Sequence, residues 1–123
     1  QEWKTYIDSR RAGRYDAARA GWNADYNQAT TFGNYFLSNS SNNTAKYANP
    51  EYDKAIAESY VATDAEGRAK AYAKAEEILA KDFGIVPIFN YVNPRLVNPY
   101  VKGYSGKDPQ DHIYLRNLYI IKH

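Results

Sequence analysis

Between residues 49 and 83 apolar positions recur every three or four residues, the spacing that aligns side chains on one face of a helix. In NPEYDKAIAESYVA, Asn49 is placed to cap, Pro50 takes the first helical position, and Glu51 and Asp53 oppose the N-terminal dipole. Ile56, Ala57, Tyr60 and Val61 form the expected apolar stripe. In TDAEGRAKAYAKAEEILAKDFG, Thr63 and Glu66 read as a capping box. Ala65, Ala69, Tyr72, Ala75, Leu79 and Phe83 repeat at helical spacing, and Gly84 supplies the stop. Almost nothing separates the two segments, so they are expected to pair as an antiparallel αα-hairpin.

Elsewhere the pattern is shorter. Residues 2–12 read as a helix that ends at Gly13, with Trp3, Ile7 and Arg10 on one face. Residues 15–20 alternate weakly between Gly13 and Gly21 and read as a strand. Thr30 or Thr31 is placed to cap a short helix through Leu37, and SNSSNNTAKYANP reads as a surface loop. IVPIFNYV has the composition of a buried strand, with Pro87 assigning it to an edge or a bulge. Asn93-Pro94 and Asn98-Pro99 predict an extended connector. KGYSGKDPQDH reads as loop and IYLRNLYIIKH as a terminal strand.

Composition narrows the class. With 123 residues, 44% hydrophobic and 24% charged, the chain is sized for one modest folded domain, and a net charge of +2 argues against disorder. Basic residues are spread among acids, with no stripe for nucleic acid. No run of eighteen apolar residues is present to span a membrane. Zero cysteines exclude disulfides and thiolate metal sites. The chain contains no Met and opens directly on a helical pattern, so it reads as a piece of something longer. Thirteen tyrosines suit interfaces and wet pockets as well as half-buried packing.

Catalytic signals are weak. His112 lies in a polar loop and His123 ends the chain, neither in a metal spacing, and no HExxH, GxSxG or phosphate-binding loop occurs. Asp16 and Asp25 are conceivable as an acid/base pair, but Asp16 beside arginines reads as an ion pair. The stretch ARAGWNADY, residues 18–26, fits neither helix nor strand periodicity. Arg10, Arg19 and Asp25 are fixed charges of both signs, as a zwitterionic peptide needs at its two ends. Gly21 would let a backbone approach, as in strand addition, and Trp22 would supply a wall. Ordinary surface ion pairs and a core tryptophan account for the same residues.

The stretches WKTYIDSRRAGRYDAARAGWNADYNQATTF, SNSSNNTAKYANPEYDKAIAES, AYAKAEEILAKDFGIVPIFNYVNPRLV and VKGYSGKDPQDHIYLRNLYIIKH closely resemble the C-terminal part of periplasmic oligopeptide-binding proteins, the solute-binding components of bacterial peptide ABC transporters. The resemblance runs from end to end. It implies an α/β fold: a C-terminal fragment of a bilobal periplasmic binding protein of the large, type II-like, peptide-binding class, with the αα-hairpin and short strands. Residues 1–92 would end the C-terminal peptide-binding lobe, and residues 93–123 would form the crossover and the strand returning to the N-terminal lobe. Asp25 matches the aspartate for the peptide α-ammonium, and Arg19 and Arg10 match arginines for its carboxylate. Gly21, Trp22 and Asn23 match the segment that pairs with the ligand backbone, and Trp22 and Trp3 match pocket walls. Asn23 stands where the family carries a disulfide-bonded cysteine, so that tether is absent or replaced.

The resemblance therefore implies periplasmic oligopeptide binding and delivery to a membrane permease, with no cofactor, metal or catalytic residue. The remaining lobes, or a complementary chain, would cover apolar surface. Two other classes are a stand-alone tyrosine-rich interaction module and, less well supported, an enzyme using Asp25 with a histidine.

Overall fold

The computed structural model describes residues 1–122. Helix α1 (Trp3–Arg11) begins at Glu2, whose carboxylate accepts from the Thr5 N–H at 3.3 Å. Helix α2 (Thr30–Gly33) continues into a 3-10 turn at Asn34–Phe36. Helices α3 (Pro50–Val61) and α4 (Ala65–Asp82) form the expected αα-hairpin. Strands β1 (Val101–Lys102) and β2 (Tyr119–Ile120) pair antiparallel, with Val101 opposite Ile120 and Lys102 opposite Tyr119.

The hairpin carries the core. Tyr52, Ala55 and Ile56 of α3 pack on Ala75 of α4, and Phe36, Leu37, Tyr47, Ile78 and Leu79 close around them. Alanines on both helices let the backbones come near each other, and the larger rings fill the ends. Tyr52 is 2% exposed, and its hydroxyl donates to the Gly33 carbonyl at 2.8 Å, which ties α2 to α3. Asn49 caps α3 as expected, accepting from the Glu51 N–H at 2.8 Å, with Pro50 in the first turn.

Several sequence expectations need correction. The buried face of α3 is Tyr52, Ala55, Ile56 and Ser59, whereas Tyr60 and Val61 are exposed. The hairpin axis selects the stripe that includes Tyr52, and Tyr60 turns outward to accept from Asn34 Nδ2 at 2.6 Å. On α4 the buried positions are Ala71 and Ala75, and Ala65 and Ala69 face solvent. Asp64, not Thr63, caps α4: its carboxylate accepts from the Gly67 N–H at 2.6 Å, a charge-assisted bond at the positive end of the helix. Thr30 and Thr31 lie inside α2, and Ala29 precedes it without a side-chain cap. At the end of α4 the left-handed residue is Phe83 (φ 52°), while Gly84 sits under Tyr47.

The strands expected at residues 15–20 and 85–92 are irregular. A strand exists by pairing, and neither segment has a paired neighbour among the described residues. The terminal strand shrinks to Tyr119–Ile120, preceded by a 3-10 turn at Leu115–Asn117, and His123 lies outside the described residues. Among the described residues the fold is thus helical with one short two-stranded ladder. The segment after α4 leaves Val86, Ile88, Phe89, Val92 and Leu96 exposed. No helix of the described residues is long and apolar enough to cross a membrane.

Candidate functional site

The irregular run after Gly13 passes beside α1 and forms a cleft of about 360 Å³ with it. One wall is the α1 face of Trp3, Tyr6, Ile7 and Arg10, brought together by helical spacing. The other is Arg19, Ala20, Gly21, Trp22 and Asn23, and Tyr91 closes the side. Six of the seven residues singled out from the sequence therefore meet in one place: Trp3, Arg10, Arg19, Gly21, Trp22 and Asn23. Asp25 does not line this cleft. It lies two residues beyond Asn23, within about 7 Å of it along even a fully extended backbone.

The cleft is rich in cations and hydrogen-bond donors. Trp3 stacks on Tyr6 with ring centres 5.5 Å apart, and the Arg10 guanidinium lies 5.9 Å from the Tyr6 ring centre. Trp22 meets Tyr35 edge-on at 5.1 Å, which braces the indole from behind. Arg19 donates to the Tyr91 hydroxyl and sits 5.7 Å from that ring's centre. Tyr6 Oη, Arg10 Nε and Trp22 Nε1 are buried without a hydrogen-bond partner among the described residues. Orphaned buried polar atoms are rare in folded proteins. Here three of them belong to Tyr6, Arg10 and Trp22, whose residues line one concavity together with a second guanidinium, that of Arg19, and no carboxylate.

The ring of Tyr91 lies over Gly21. A Cβ on Gly21 would stand 2.8 Å from Tyr91 Cε2 and 3.0 Å from its hydroxyl. The bare backbone expected there is present, with an aromatic side chain against it. The composition of IVPIFNYV places Tyr91 in a buried strand; in the structure the residue is half exposed and lines the cleft instead. It lies 70 positions beyond Gly21, and no local pattern signals that meeting.

Asp25 is exposed, and its carboxylate has no partner among the described residues. Its backbone is held on both sides. The Asp25 N–H donates to Thr31 Oγ1 at 2.9 Å, and Gln110 Nε2 donates to the Asp25 carbonyl at 2.6 Å. The hydroxyls of Thr30 and Thr31, expected as helix caps, serve this loop: Tyr26 Oη donates to Thr30 Oγ1 at 3.1 Å. A second concavity of about 280 Å³ lies within residues 103–118 and is lined in part by His112, with none of the seven proposed ligand-binding residues.

No family model matches the chain. It is 95% identical over all 123 residues to the periplasmic oligopeptide-binding protein OppA of Haemophilus influenzae, and 44% identical over its whole length to the periplasmic murein peptide-binding protein MppA of Escherichia coli. The chain spans 23% of the length of each. The crystal structure of H. influenzae OppA in complex with RPPGFSPFR superposes with a TM-score of 0.82 at 94% identity, over 99% of this chain and 24% of that one. The murein tripeptide-binding protein MppA of E. coli gives 0.84 at 44% identity, over 100% and 24%. Matched along its whole length, the chain belongs to the periplasmic oligopeptide-binding proteins as a segment of under a quarter of their length.

Proposed function

We propose that this chain is the ligand-contacting segment of a periplasmic protein that binds oligopeptides through their backbone and charged termini and delivers them to the membrane permease of an ABC importer. The observation that carries the reading is the cleft, whose lining brings Arg10 and Arg19 together with Trp3, Trp22 and the bare backbone at Gly21 and holds no carboxylate. Donors and cations without a carboxylate suit a peptide carboxylate and its carbonyls. In this reading Arg19 and Arg10 receive the C-terminal carboxylate, Trp3 and Trp22 are walls, and Gly21 and Asn23 meet the ligand backbone. Asp25, just outside, takes the ammonium. Opposite charges set at different points along one segment orient an extended zwitterion.

Residues 1–92 then belong to the peptide-binding lobe of a bilobal α/β protein of the type II-like class. Residues 93–123 cross back to the other lobe. The exposed Ile88, Phe89, Val92 and Leu96 are surface for the rest of that protein to cover. The roles are those of binding, with no bond made or broken. The complex of H. influenzae OppA with RPPGFSPFR supports a peptide as ligand.

Calorimetry on the full-length protein tests the reading. A tripeptide with a free C-terminal carboxylate is expected to bind, and Arg19→Ala to weaken it at least about tenfold, as loss of a charge-assisted bond implies. The corresponding C-terminal amide should be much less sensitive to the substitution. No binding, or equal losses for acid and amide, would sink the assignment.

A further inference from the structure

We infer that Gln110 is a positioning residue for Asp25, and that the loop 108–112 sets the ammonium-binding end of the site. The inference rests on the proposed role of Asp25. Its structural basis is a contact 85 residues apart in sequence: Gln110 Nε2 donates to the Asp25 carbonyl at 2.6 Å. Thr31 Oγ1 accepts from the N–H of the same residue at 2.9 Å. Both polar groups of the Asp25 backbone are thereby engaged, while its carboxylate remains in solvent with no partner among the described residues. A carboxylate on a clamped backbone has only its own side-chain rotations to lose when it captures a cation, which lowers the entropic cost of binding.

Gln110 can serve as a clamp because its own loop is pinned. Asp108 Oδ1 accepts from the Gln110 N–H at 2.9 Å and from the His112 N–H at 3.2 Å. The Asp111 N–H donates to the Asp108 carbonyl at 3.0 Å. Asp111 takes the left-handed conformation, φ 60°, uncommon for a residue with a Cβ. The surroundings hold it there: its carboxylate accepts from Asn93 Nδ2 at 2.6 Å and pairs with Arg95. A side chain carried between two such anchors is already oriented before any ligand arrives. The chain of contacts runs from the connector at 93–95, through Asp111 and Gln110, to Asp25. In KDPQDH, Asp108 and Asp111 build the turn, and Gln110 is the residue left over to reach outward.

The test uses the full-length protein, a tripeptide with a free α-ammonium and its N-acetylated analogue. Gln110→Met keeps length and bulk and removes the donor. Binding of the free-amine peptide is expected to weaken about three- to tenfold, as loss of one orienting hydrogen bond implies. The acetylated peptide should bind as before, within about twofold, because it makes no use of the Asp25 charge. Gln110→Ser, which keeps the half-buried position polar, should repeat the pattern, with melting curves checking that each variant is folded. Equal losses for both peptides would reduce Gln110 to general loop structure and overturn the inference, as would no loss for either. A wild-type protein that binds both peptides equally, or neither, would remove the ammonium role of Asp25 itself. That failure shows before any Gln110 variant is made, so the two are distinguishable.

Discussion

Asp25→Asn isolates the charge at the proposed ammonium site. Asparagine has the same shape, and the two hydrogen bonds that fix residue 25, to Thr31 Oγ1 at 2.9 Å and from Gln110 Nε2 at 2.6 Å, are made by the backbone and survive the change. The carboxylate has no partner among the described residues that its loss would strand, so the unliganded protein should be nearly unaffected. What remains is the interaction with the ligand. Two unit charges 4 Å apart attract by about 1 kcal/mol in bulk water and by about 4 kcal/mol at an effective dielectric constant near 20. A hydrogen bond to a charged group is worth about 1.5–3 kcal/mol net. The second range applies if the ligand and a closing lobe exclude water, and it corresponds to about a tenfold to 150-fold rise in Kd. Titration calorimetry of a free-amine tripeptide into the wild-type and Asp25→Asn full-length proteins measures it. A rise of less than about twofold, with Tm unchanged, would refute the placement of the ammonium at Asp25.

The other predictions concern the frame behind the cleft. Tyr52→Phe leaves the Gly33 carbonyl without its donor and should cost about 1 kcal/mol, read from the midpoint of urea unfolding. Gly33→Ala places a Cβ 2.7 Å from Cδ1 at the tip of the buried Ile56, and the overpacking, offset in part by alanine's better helix propensity, should leave a net cost of up to about 2 kcal/mol. Ile56→Val removes that methyl, so a double-mutant cycle should return part of the cost, and strict additivity would argue against the contact. Burial pushes the Tyr52 phenol up to about 12, against about 10 in an unfolded chain. Stability from this group is therefore complete below about pH 10 and falls as pH rises toward 12, because the unfolded chain ionises first. Urea midpoints at pH 9 and 11.5 should differ more in wild type than in Tyr52→Phe.

Local chemistry was legible in the sequence, and pairing was not. Asn49 and Pro50 announce the start of α3 because a cap and its first turn lie within four residues of each other. Helix registry was harder. Ile56 is common to the expected and the observed faces, and only the position of α4 decides whether Tyr52 or Tyr60 joins it. Adjacent cap candidates are ambiguous for the same reason, and Asp64 displaced Thr63 by a single residue. Residues 85–92 have the composition of a strand, yet composition supplies no partner. Their ladder, if the proposed bilobal protein completes one, belongs to chain outside these 123 residues.

The site divides along the same line. Trp3 and Arg10 share a face by helical spacing, and Arg19 to Asn23 are contiguous, so both walls of the cleft could be named from local sequence. Tyr91 and Gln110 reach the site across 70 and 85 positions, with no periodicity to announce them. Those two distant residues also distinguish the two ends. Tyr91 packs on Gly21 and accepts from Arg19, at the cationic end. Gln110 holds the backbone of Asp25, at the anionic end. Both come from beyond α4, on either side of the connector that Asn93 and Arg95 tie to Asp111. A shift of that connector would therefore disturb the cationic and anionic ends together. In a protein that closes on its ligand, that placement would couple the grip on both peptide termini to the position of one segment.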